Sequence, residues 1–589
     1  MHIFLVWYSK NKRLKGDKIA DGMINHYQPQ VKQKINKYTY TNEWVGSIHI
    51  SEKSLTENNY FLQRDDTTVC FLTGTPTGFD RLFSENNIET NETNYLLRLK
   101  KLFDRNGFDL IKQISPPFIF GFIENDYLNI VHDGLGFEQG FIYEDDDFWV
   151  CSNRCWPITK LIGKKVNVDD AAWKQYFEVG NFPLNRTPFK EISVLRRGEV
   201  WRCSNGQVSN EMIDCFSDWL NPLEGTKEDI LIFARDSFNE SVKELIERYC
   251  DNQALADLSG GRDTRAILSS ILNQNINCVF QTVGDENSAD IKIAEMLENQ
   301  HSLKVWYTNP KPENVDQDQL KAKINKFTVW QDGFGETKSC KYMSNNPSGE
   351  PLRPILSGLM GTEIHRAHYH HDALDKSVRK IVRSVLKGII GRKSEILQSR
   401  NTIGNVKKLV FQEGKKYRLT GYTFLDYYNL VEKARRWGSA VAATPFDGYC
   451  LPFLNIGLIK ATFSLTENDR KSQAIHKYIT ATNVEDLDKI PYDTDLVSKD
   501  KTLTKTPYDE NVFWRNHAGR SLMEMILSQD HYMWNRLLNK AIIDNIWKGH
   551  CELKTNHGDF FWRIAGFYFW YAHFRPFLNP DMLEPSRLK

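Results

Sequence analysis

The most informative stretch of the chain joins a short apolar run to a helical pattern through two consecutive glycines. Residues 254–258, Ala-Leu-Ala-Asp-Leu, have the composition of a buried strand, and apolar residues recur at helical spacing over residues 266–272. Between them lies Ser259-Gly260-Gly261. Consecutive backbone N–H groups at such a turn, together with the N-terminus of the new helix, favour a bound phosphate. An ordinary strand-to-helix turn without a ligand is the alternative, and the turn alone leaves both interpretations open.

The chain after this turn continues with alternating strands and helices. The pattern predicts strands over residues 278–283 and 304–307, a helix over residues 290–299, and a further strand over residues 352–356. This order is typical of a parallel, doubly wound α/β sheet, which binds ligands at the carboxyl ends of its strands. We therefore expect the turns after Leu258, Val283 and Leu356 to converge on one site.

Residues 1–210 have a different pattern, which predicts an α+β domain with an antiparallel sheet. Short β-type runs at residues 2–8, 68–72, 118–123, 127–131, 148–152 and 199–202 are separated by turns, and helical spacing covers residues 94–108 and 168–180. An amphipathic helix over residues 226–249 opens the second domain, residues 225–490. Residues 491–589 are interpreted as a helical, aromatic-rich C-terminal extension packed on that second domain.

Composition narrows the class of protein. A chain of 589 residues is too long for one hydrophobic core, so two or more domains are expected. Its 76 Lys and Arg against 75 Asp and Glu lack the basic excess of a nucleic-acid-binding protein. Cys151 and Cys155 form an isolated pair without further metal ligands, so we expect ordinary thiols. No stretch reaches the ~20 apolar residues of a membrane span, and no signal peptide is recognisable, so a cytoplasmic protein is expected.

Two further segments are candidates for binding sites. His365, His368, His370 and His371 follow Glu363 at a spacing that suggests zinc, but a clear third ligand is missing, which favours a structural or phosphate-facing role. Residues 375–390 form a basic amphipathic pattern, interpreted as a solvated helix face rather than as a surface for an acidic partner.

Several motifs, in order, resemble those of the asparagine synthetase family. The segment Ser259-Gly-Gly-Arg-Asp263-Thr264 resembles its S-G-G-x-D-S pyrophosphate loop, and Ser357-Gly358-Leu-Met-Gly-Thr-Glu363 its S-G-x-G-x-D-E segment. Residues 451–455 are similar to its V-P-F-L-D segment, and Lys477-Tyr478 to its lysine–aromatic pair. In the N-terminal half, residues 133–136 resemble its D-x-x-G turn, and residues 181–198 resemble the passage that closes its glutaminase domain. The resemblance covers residues 1–490.

The resemblance implies a fold, cofactors and site residues. It implies an N-terminal antiparallel domain of the Ntn-hydrolase type and a C-terminal domain like the adenine nucleotide α-hydrolases. It implies ATP and Mg²⁺ as cofactors, with Asp263 and Glu363 as metal ligands, and Asp263 and Lys477 as catalytic residues. Lys477 would stabilise negative charge as an amine attacks an acyl-adenylate. The residues implied to bind ATP are Leu258, Ser259, Gly260, Gly261, Asp263, Thr264, Val283, Ser357 and Gly358.

The chain also departs from the family at both of its sites. His2 stands where the family has the cysteine nucleophile of its glutaminase, and an imidazole cannot replace that thiolate. We therefore expect an inactive glutaminase domain, as in the β-lactam synthetases and lasso-peptide cyclases of the same family. Thr362 replaces a metal-binding aspartate and Met360 a glycine, while Leu359 stands where β-lactam synthetases have a tyrosine.

These observations favour an ATP-dependent carbon–nitrogen ligase that forms AMP and pyrophosphate. It would adenylate a small-molecule or peptide carboxylate and join it to an amine, in natural-product, peptide or polysaccharide modification. Two alternatives stay open: a noncatalytic, degenerate family member acting as a binding or scaffold protein, and an asparagine synthetase that uses free ammonia. The sequence also leaves the oligomeric state open, a homodimer included.

Overall fold

The computed structural model describes most of the chain. The described residues are 2–11, 16–30, 34–52, 60–63, 67–88, 94–250, 254–308, 316–342, 354–367, 411–420, 423–443, 448–503 and 510–580. The predicted basic helix over residues 375–390 and the histidines His368, His370 and His371 lie outside them.

Within the described residues, the N-terminal half contains two six-stranded antiparallel sheets, whose strands are numbered in chain order. The first sheet has the spatial order β10 (Ser193–Val194), β8 (Phe141–Glu144), β9 (Phe148–Ser152), β1 (His2–Ser9), β3 (Val45–Glu52), β2 (Ile35–Thr41). The second has the order β12 (Gln207–Met212), β11 (Glu199–Ser204), β7 (Tyr127–His132), β6 (Phe118–Glu124), β5 (Thr68–Gly74), β4 (Phe61–Gln63).

Alternating side chains of β1 divide the apolar residues between two cores, because successive residues of a strand point to opposite faces. Phe4 and Val6 lie in the core between the two sheets, together with Phe71 of the second sheet. Ile3 and Leu5 face the other way, into a core with the helices that cover the first sheet. The N-terminal half is therefore a four-layered arrangement with helices outside both sheets.

The helices of this half follow the same division. Those over the first sheet are α1 (Asp17–Tyr27), α4 (Cys155–Ile162) and α5 (Asp170–Val179), and those over the second are α2 (Phe79–Glu85) and α3 (Tyr95–Asn106). The core beneath α2 and α3 continues without a break into the second half of the chain, where it includes Phe238 and Ile267. The two halves therefore share one hydrophobic core.

The second half is built on a five-stranded parallel sheet within the described residues. Its spatial order is β15 (Lys304–Thr308), β14 (Cys278–Val283), β13 (Ala254–Asp257), β16 (Ile355–Leu356), β17 (Tyr449–Cys450). The strand order reverses between β13 and β16, the first and fourth strands of this sheet in the chain. In doubly wound sheets such a switch point opens a crevice at the carboxyl ends of the strands.

The helices of the second half begin at the linker after β12. They are α6 (Phe216–Trp219), α7 (Lys227–Tyr249), α8 (Arg262–Asn273), α9 (Ala289–His301), α10 (Gln317–Trp330), α11 (Gly361–His365), α12 (Thr423–Tyr428), α13 (Ser439–Ala442), α14 (Ile456–Ser464), α15 (Glu467–Lys471), α16 (Ala474–Asn483) and α17 (Asp493–Lys499). A π-helix, Asn429–Gly438, joins α12 to α13.

The C-terminal extension is helical over its described residues and packs through aromatic side chains. Its helices are α18 (Glu510–Arg515), α19 (His517–Ser528), α20 (Tyr532–Arg536), α21 (Lys540–Cys551) and α22 (Gly558–Phe574). Trp570 of α22 lies 4.7 Å, ring centre to ring centre, from Trp173 of α5 in the N-terminal half. The same core includes Trp330 of α10, so the extension contacts both halves of the molecule.

The predicted fold class, an α+β half with antiparallel sheets followed by a doubly wound parallel sheet, is confirmed by this topology. None of the described helices is both long enough and apolar enough to cross a membrane.

Candidate functional site

The backbone N–H groups of residues 259–261 donate hydrogen bonds to nearby hydroxyl groups and to one carboxylate. The Ser259 N–H donates to Thr264 Oγ1 at 3.2 Å, and the Gly261 N–H donates to Ser259 Oγ at 3.2 Å. The Gly260 N–H donates to Asp290 Oδ1 at 2.6 Å. Gly261 is the N-cap of α8 and provides no side-chain cap, so the first-turn N–H groups of α8 are the donors left for an anion.

A cleft of about 350 Å³ opens at this turn, at the switch point of the parallel sheet. A cavity of ~300–1,000 Å³ is typical of small-molecule sites. Eight of the nine residues expected to bind ATP line it: Leu258, Ser259, Gly261, Asp263, Thr264, Val283, Ser357 and Gly358. The ninth, Gly260, lies behind the turn, where a Cβ would meet Ile293 Cδ1 at 2.5 Å. The structure thus brings together turns that are about a hundred residues apart in the chain.

Two glycines in the turn after β16 allow this turn to pack closely against Asp263. A Cβ on Gly358 would lie 2.8 Å from Asp263 Cβ, and a Cβ on Gly361 would lie 2.6 Å from Asp263 Cγ and 2.7 Å from Oδ1. All three distances are shorter than the van der Waals contacts that Cβ atoms make. Glycine at both positions is therefore required by the packing of this turn against α8.

Asp263 lies in a network of hydrogen bonds and opposite charges. The Thr362 hydroxyl donates to its Oδ2 at 2.8 Å, and Arg366 Nη1 donates to the same Thr362 oxygen at 2.8 Å. His476 Nε2 lies 2.9 Å from Oδ1, an ion-pair distance without the alignment of a hydrogen bond. Burial raises the pKa of Asp263, but His476, Thr362 and Arg366 together outweigh burial and hold it below the ordinary value. The carboxylate is therefore charged; its Oδ2 accepts a hydrogen bond, whereas its Oδ1 has the imidazole nearby without a hydrogen bond.

His476 and Arg366 were not among the predicted site residues, although the helical spacing of α16 could have indicated His476. The buried residues of α16 are Ile475, His476, Ile479 and Thr480, an inward face at helical spacing. That spacing indicates that His476 points inward and Lys477 outward. Arg366, four residues after Thr362, carried no comparable signal.

The other predicted site residues lie in different surroundings. Lys477 is exposed on α16 and is not among the residues that line the cleft. Its catalytic role stays a prediction. Glu363 is half-buried, and burial, together with the charge of Asp263, raises the pKa of its carboxyl group.

Of the two other cations near the turn, Arg262 stacks on Tyr492 at 3.8 Å, and Arg265 donates to the carbonyl oxygens of Ile490 and Pro491.

The donors present do not fit an Mg²⁺ ion held by Asp263 and Glu363. Of the two, only Asp263 lines the cleft; its Oδ2 accepts from Thr362, its Oδ1 lies 2.9 Å from His476 Nε2, and 19% of its side chain is exposed. Mg²⁺ normally keeps several waters and needs open octahedral geometry. Within the described part of the chain there is no group of three His, Cys, Asp or Glu side chains that could hold a metal.

His365 is a structural residue in this arrangement. Its Nδ1 lies 2.5 Å from Thr462 Oγ1, and its Nε2 lies 2.8 Å from the Phe453 carbonyl oxygen. Burial lowers its pKa to about 3, so the ring is neutral. With both nitrogens engaged, His365 has none left for zinc.

In the N-terminal half, His2 is held inside the sheet region rather than in an open site. Its Nδ1 lies 3.1 Å from the Leu72 carbonyl oxygen, and its ring stacks on His49 with centres 5.4 Å apart. Burial lowers the pKa of His2 to about 3. Cys151 and Cys155 are both buried free thiols, and burial raises the pKa of each.

Comparisons with known proteins give weak similarities only. The chain is similar to glutamine phosphoribosylpyrophosphate amidotransferase from B. subtilis complexed with ADP and GMP, at 9% identity and a TM-score of 0.26, over 68% of this chain and 95% of that one. It is also similar to the allosteric regulatory enzyme of purine biosynthesis, at 9% identity and a TM-score of 0.27, over 68% of this chain and 94% of that one. Neither similarity supports an inference about function. No protein-family model and no curated protein matches the chain.

Proposed function

We propose that this protein is an ATP-dependent ligase of the asparagine synthetase type that forms a carbon–nitrogen bond without hydrolysing glutamine. It adenylates a substrate carboxylate, releases pyrophosphate, and transfers the acyl group to an amine as AMP leaves. The observation that carries the proposal is the cleft at the switch point, lined by the turns after Leu258, Val283 and Leu356. These are the three turns that the motifs assign to the nucleotide.

The adenosine end of the nucleotide would lie between Leu258, Val283 and Gly358, which line the cleft. The phosphates would point to the N-terminus of α8, because the amides of the turn itself are already engaged and the helix dipole favours an anion there. Lys477 is the proposed partner of negative charge when the amine attacks. Lys477 is exposed and does not line the cleft, so this role rests on the motif alone.

The amine must come from a second substrate or from free ammonia. The N-terminal half presents His2, a half-buried neutral imidazole, where a glutaminase of this type needs a thiolate. This half would then serve as a scaffold whose core is continuous with that of the ligase half.

The test is ATP–pyrophosphate exchange with a panel of carboxylates: aspartate, other amino acids, short peptides and sugar acids. At least one carboxylate should support exchange, and Asp263→Ala should abolish it. Exchange with none of them, combined with no ATP binding by calorimetry, would contradict the proposal.

One observation favours a second candidate, a noncatalytic nucleotide-binding protein. Asp263, to which the resemblance assigns a metal ion, already accepts a hydrogen bond from Thr362 and lies beside His476. Under this alternative ATP binds in the cleft, but no carboxylate supports pyrophosphate exchange. The same two assays therefore separate the candidates.

A further inference from the structure

A small cavity lies between the two halves of the molecule. Its volume is about 10 Å³, enough for one water-sized occupant. Gly136 and Glu138 of the N-terminal half line it, together with Arg435 and Arg436 of the C-terminal half. The cavity shares no lining residue with the cleft at the switch point.

Arg435 and Arg436 are buried among neutral hydrogen-bond acceptors. They are 4% and 6% exposed and belong to the π-helix Asn429–Gly438. Arg435 Nη2 donates to the Leu195 carbonyl oxygen at 2.9 Å and to Asn185 Oδ1 at 3.1 Å. Arg436 Nη2 donates to the same amide oxygen at 3.4 Å. Among the described residues, neither guanidinium forms an ion pair, and the buried Nε–H of each has no acceptor.

The two guanidinium groups therefore lack a close negative charge. Buried charges in proteins are normally paired, because a charge removed from water loses its hydration. Burial and the charge of Arg436 lower the pKa of Arg435, and burial lowers the pKa of Arg436 to about 10. Arginine nevertheless stays protonated in proteins, so these shifts indicate positive charges that an anion would stabilise.

The carboxylates near these arginines do not supply that charge in full. Glu138 lines the cavity, but burial and the charge of Asp133 raise its pKa to about 7, so it is only partly ionised at neutral pH. Asp133 and Glu432 act on Arg435 from beyond ion-pair distance. Each already accepts from a backbone N–H group, that of Phe118 and that of Leu184 respectively.

Gly136 leaves room at one of the two Nε–H groups. Its φ is +69°, and a Cβ at this position would lie 2.9 Å from Arg435 Nε. Because Gly136 also lines the cavity, the missing side chain keeps this donor open on the side of the N-terminal half.

We propose that the cavity binds one small monovalent anion, chloride in ordinary buffers, which accepts from the Nε–H groups of Arg435 and Arg436 and joins the two halves of the molecule. Hydrogen bonds between a guanidinium and an anion are stronger than those to a neutral acceptor, so an anion fits these donors better than a water molecule of similar size. The volume excludes a phosphate or a larger carboxylate. This site is independent of the proposed function, because it shares no residue with the nucleotide cleft.

The test is the melting temperature of the full chain at constant ionic strength, as sodium gluconate is replaced stepwise by sodium chloride. Gluconate is too large for the cavity. Relative to Arg436→Gln, in which general salt effects remain, the wild type should show a saturable rise of about 3–6 °C at ten times the dissociation constant. The same response to chloride in the wild type and in Arg436→Gln, or a rise that does not saturate, would overturn the inference.

A matched control separates the loss of the anion site from the loss of any buried arginine. Arg470 is 3% exposed and pairs with Asp426. Arg470→Gln should lower the melting temperature in both salts and keep the saturable rise with chloride. Loss of that rise in Arg470→Gln would contradict the assignment to Arg436.

A third variant tests the alternative that Glu138 is the counter-charge of the arginines. Glu138→Gln preserves the size of the side chain and removes its negative charge, so chloride should bind more tightly than in the wild type. Equal or weaker chloride binding in this variant would overturn the proposal and identify Glu138 as the partner of the two guanidinium groups.

Discussion

Gly361 provides the sharpest test of how the turn after β16 packs on Asp263. In Gly361→Ala the new Cβ would lie 2.6 Å from Asp263 Cγ and 2.7 Å from Oδ1, so the aspartate or the turn must move. Overpacking of this kind costs about 1–3 kcal/mol. For a domain of the size of the C-terminal half, each kcal/mol lowers the melting temperature by about 2–4 °C.

The assay is differential scanning fluorimetry of single and double variants. Asp263→Ala removes the two atoms that a Cβ at position 361 would contact most closely, leaving a Cβ contact at 3.0 Å. Gly361→Ala should therefore cost less than half as much in the Asp263→Ala background as in the wild type, because neighbouring residues are coupled.

The matched control is Gly22→Ala, where the nearest atom to the new Cβ is 3.6 Å away. This change should be neutral or stabilising, since Gly22 lies inside helix α1. Equal losses for Gly361→Ala in both Asp263 backgrounds, or no loss at all, would refute the described packing.

Three further predictions concern other groups. Lys477→Met should retain pyrophosphate exchange and the wild-type melting temperature but lose amide formation, whereas His476→Leu should cost about 1–3 kcal/mol, since it removes the imidazole beside Asp263 Oδ1 and leaves only the Thr362 hydrogen bond to that carboxylate; a stability loss in Lys477→Met with none in His476→Leu would contradict this assignment. The purified protein should release no glutamate from glutamine, because the imidazole of His2 cannot act as the thiolate nucleophile; release above background would contradict the expectation of an inactive glutaminase. Burial raises the pKa of Asp332 to about 7, so the folded protein keeps a proton that the unfolded chain releases above about pH 4. The stability that this retained proton contributes is present at low pH and is lost as the pH rises toward 7. Asp332→Asn should therefore flatten the dependence of the melting temperature on pH over that range. An unchanged pH dependence in the variant would contradict this prediction.

Much of the fold was predictable because its central strands carry their own signal. The apolar runs of β1, β5, β6, β7 and β9, and of β13 to β15, were all expected near their observed positions. Strands β2 and β12 were missed because they are edge strands with polar, exposed positions, and their pairing partner, rather than their composition, stabilises them. Strand β16 falls within the strand predicted over residues 352–356, whereas β17, with two described residues, is too short for any periodicity and was missed.

The candidate site was predictable in outline and not in detail. The alternation of strands and helices predicted which turns lie together, since parallel strands bring their carboxyl ends to one edge of the sheet. The contacts of Asp263 with Thr362 and His476 join helices far apart in the chain, and no local pattern encodes such distances. The role assigned to Lys477 came from motif register alone, whereas the spacing of Ile475 and Ile479 indicates an inward His476.

The central claim is that ATP binds in the cleft at the switch point, and one titration tests it most directly. Val283 is 38% exposed and lines the cleft, whereas Ile232 is 37% exposed on α7 and does not. Calorimetric titration with ATP should show one saturable site in the wild type and in Ile232→Trp, and none in Val283→Trp, with equal melting temperatures for all three. Unchanged ATP binding by Val283→Trp, or no binding by the wild type, would contradict the account.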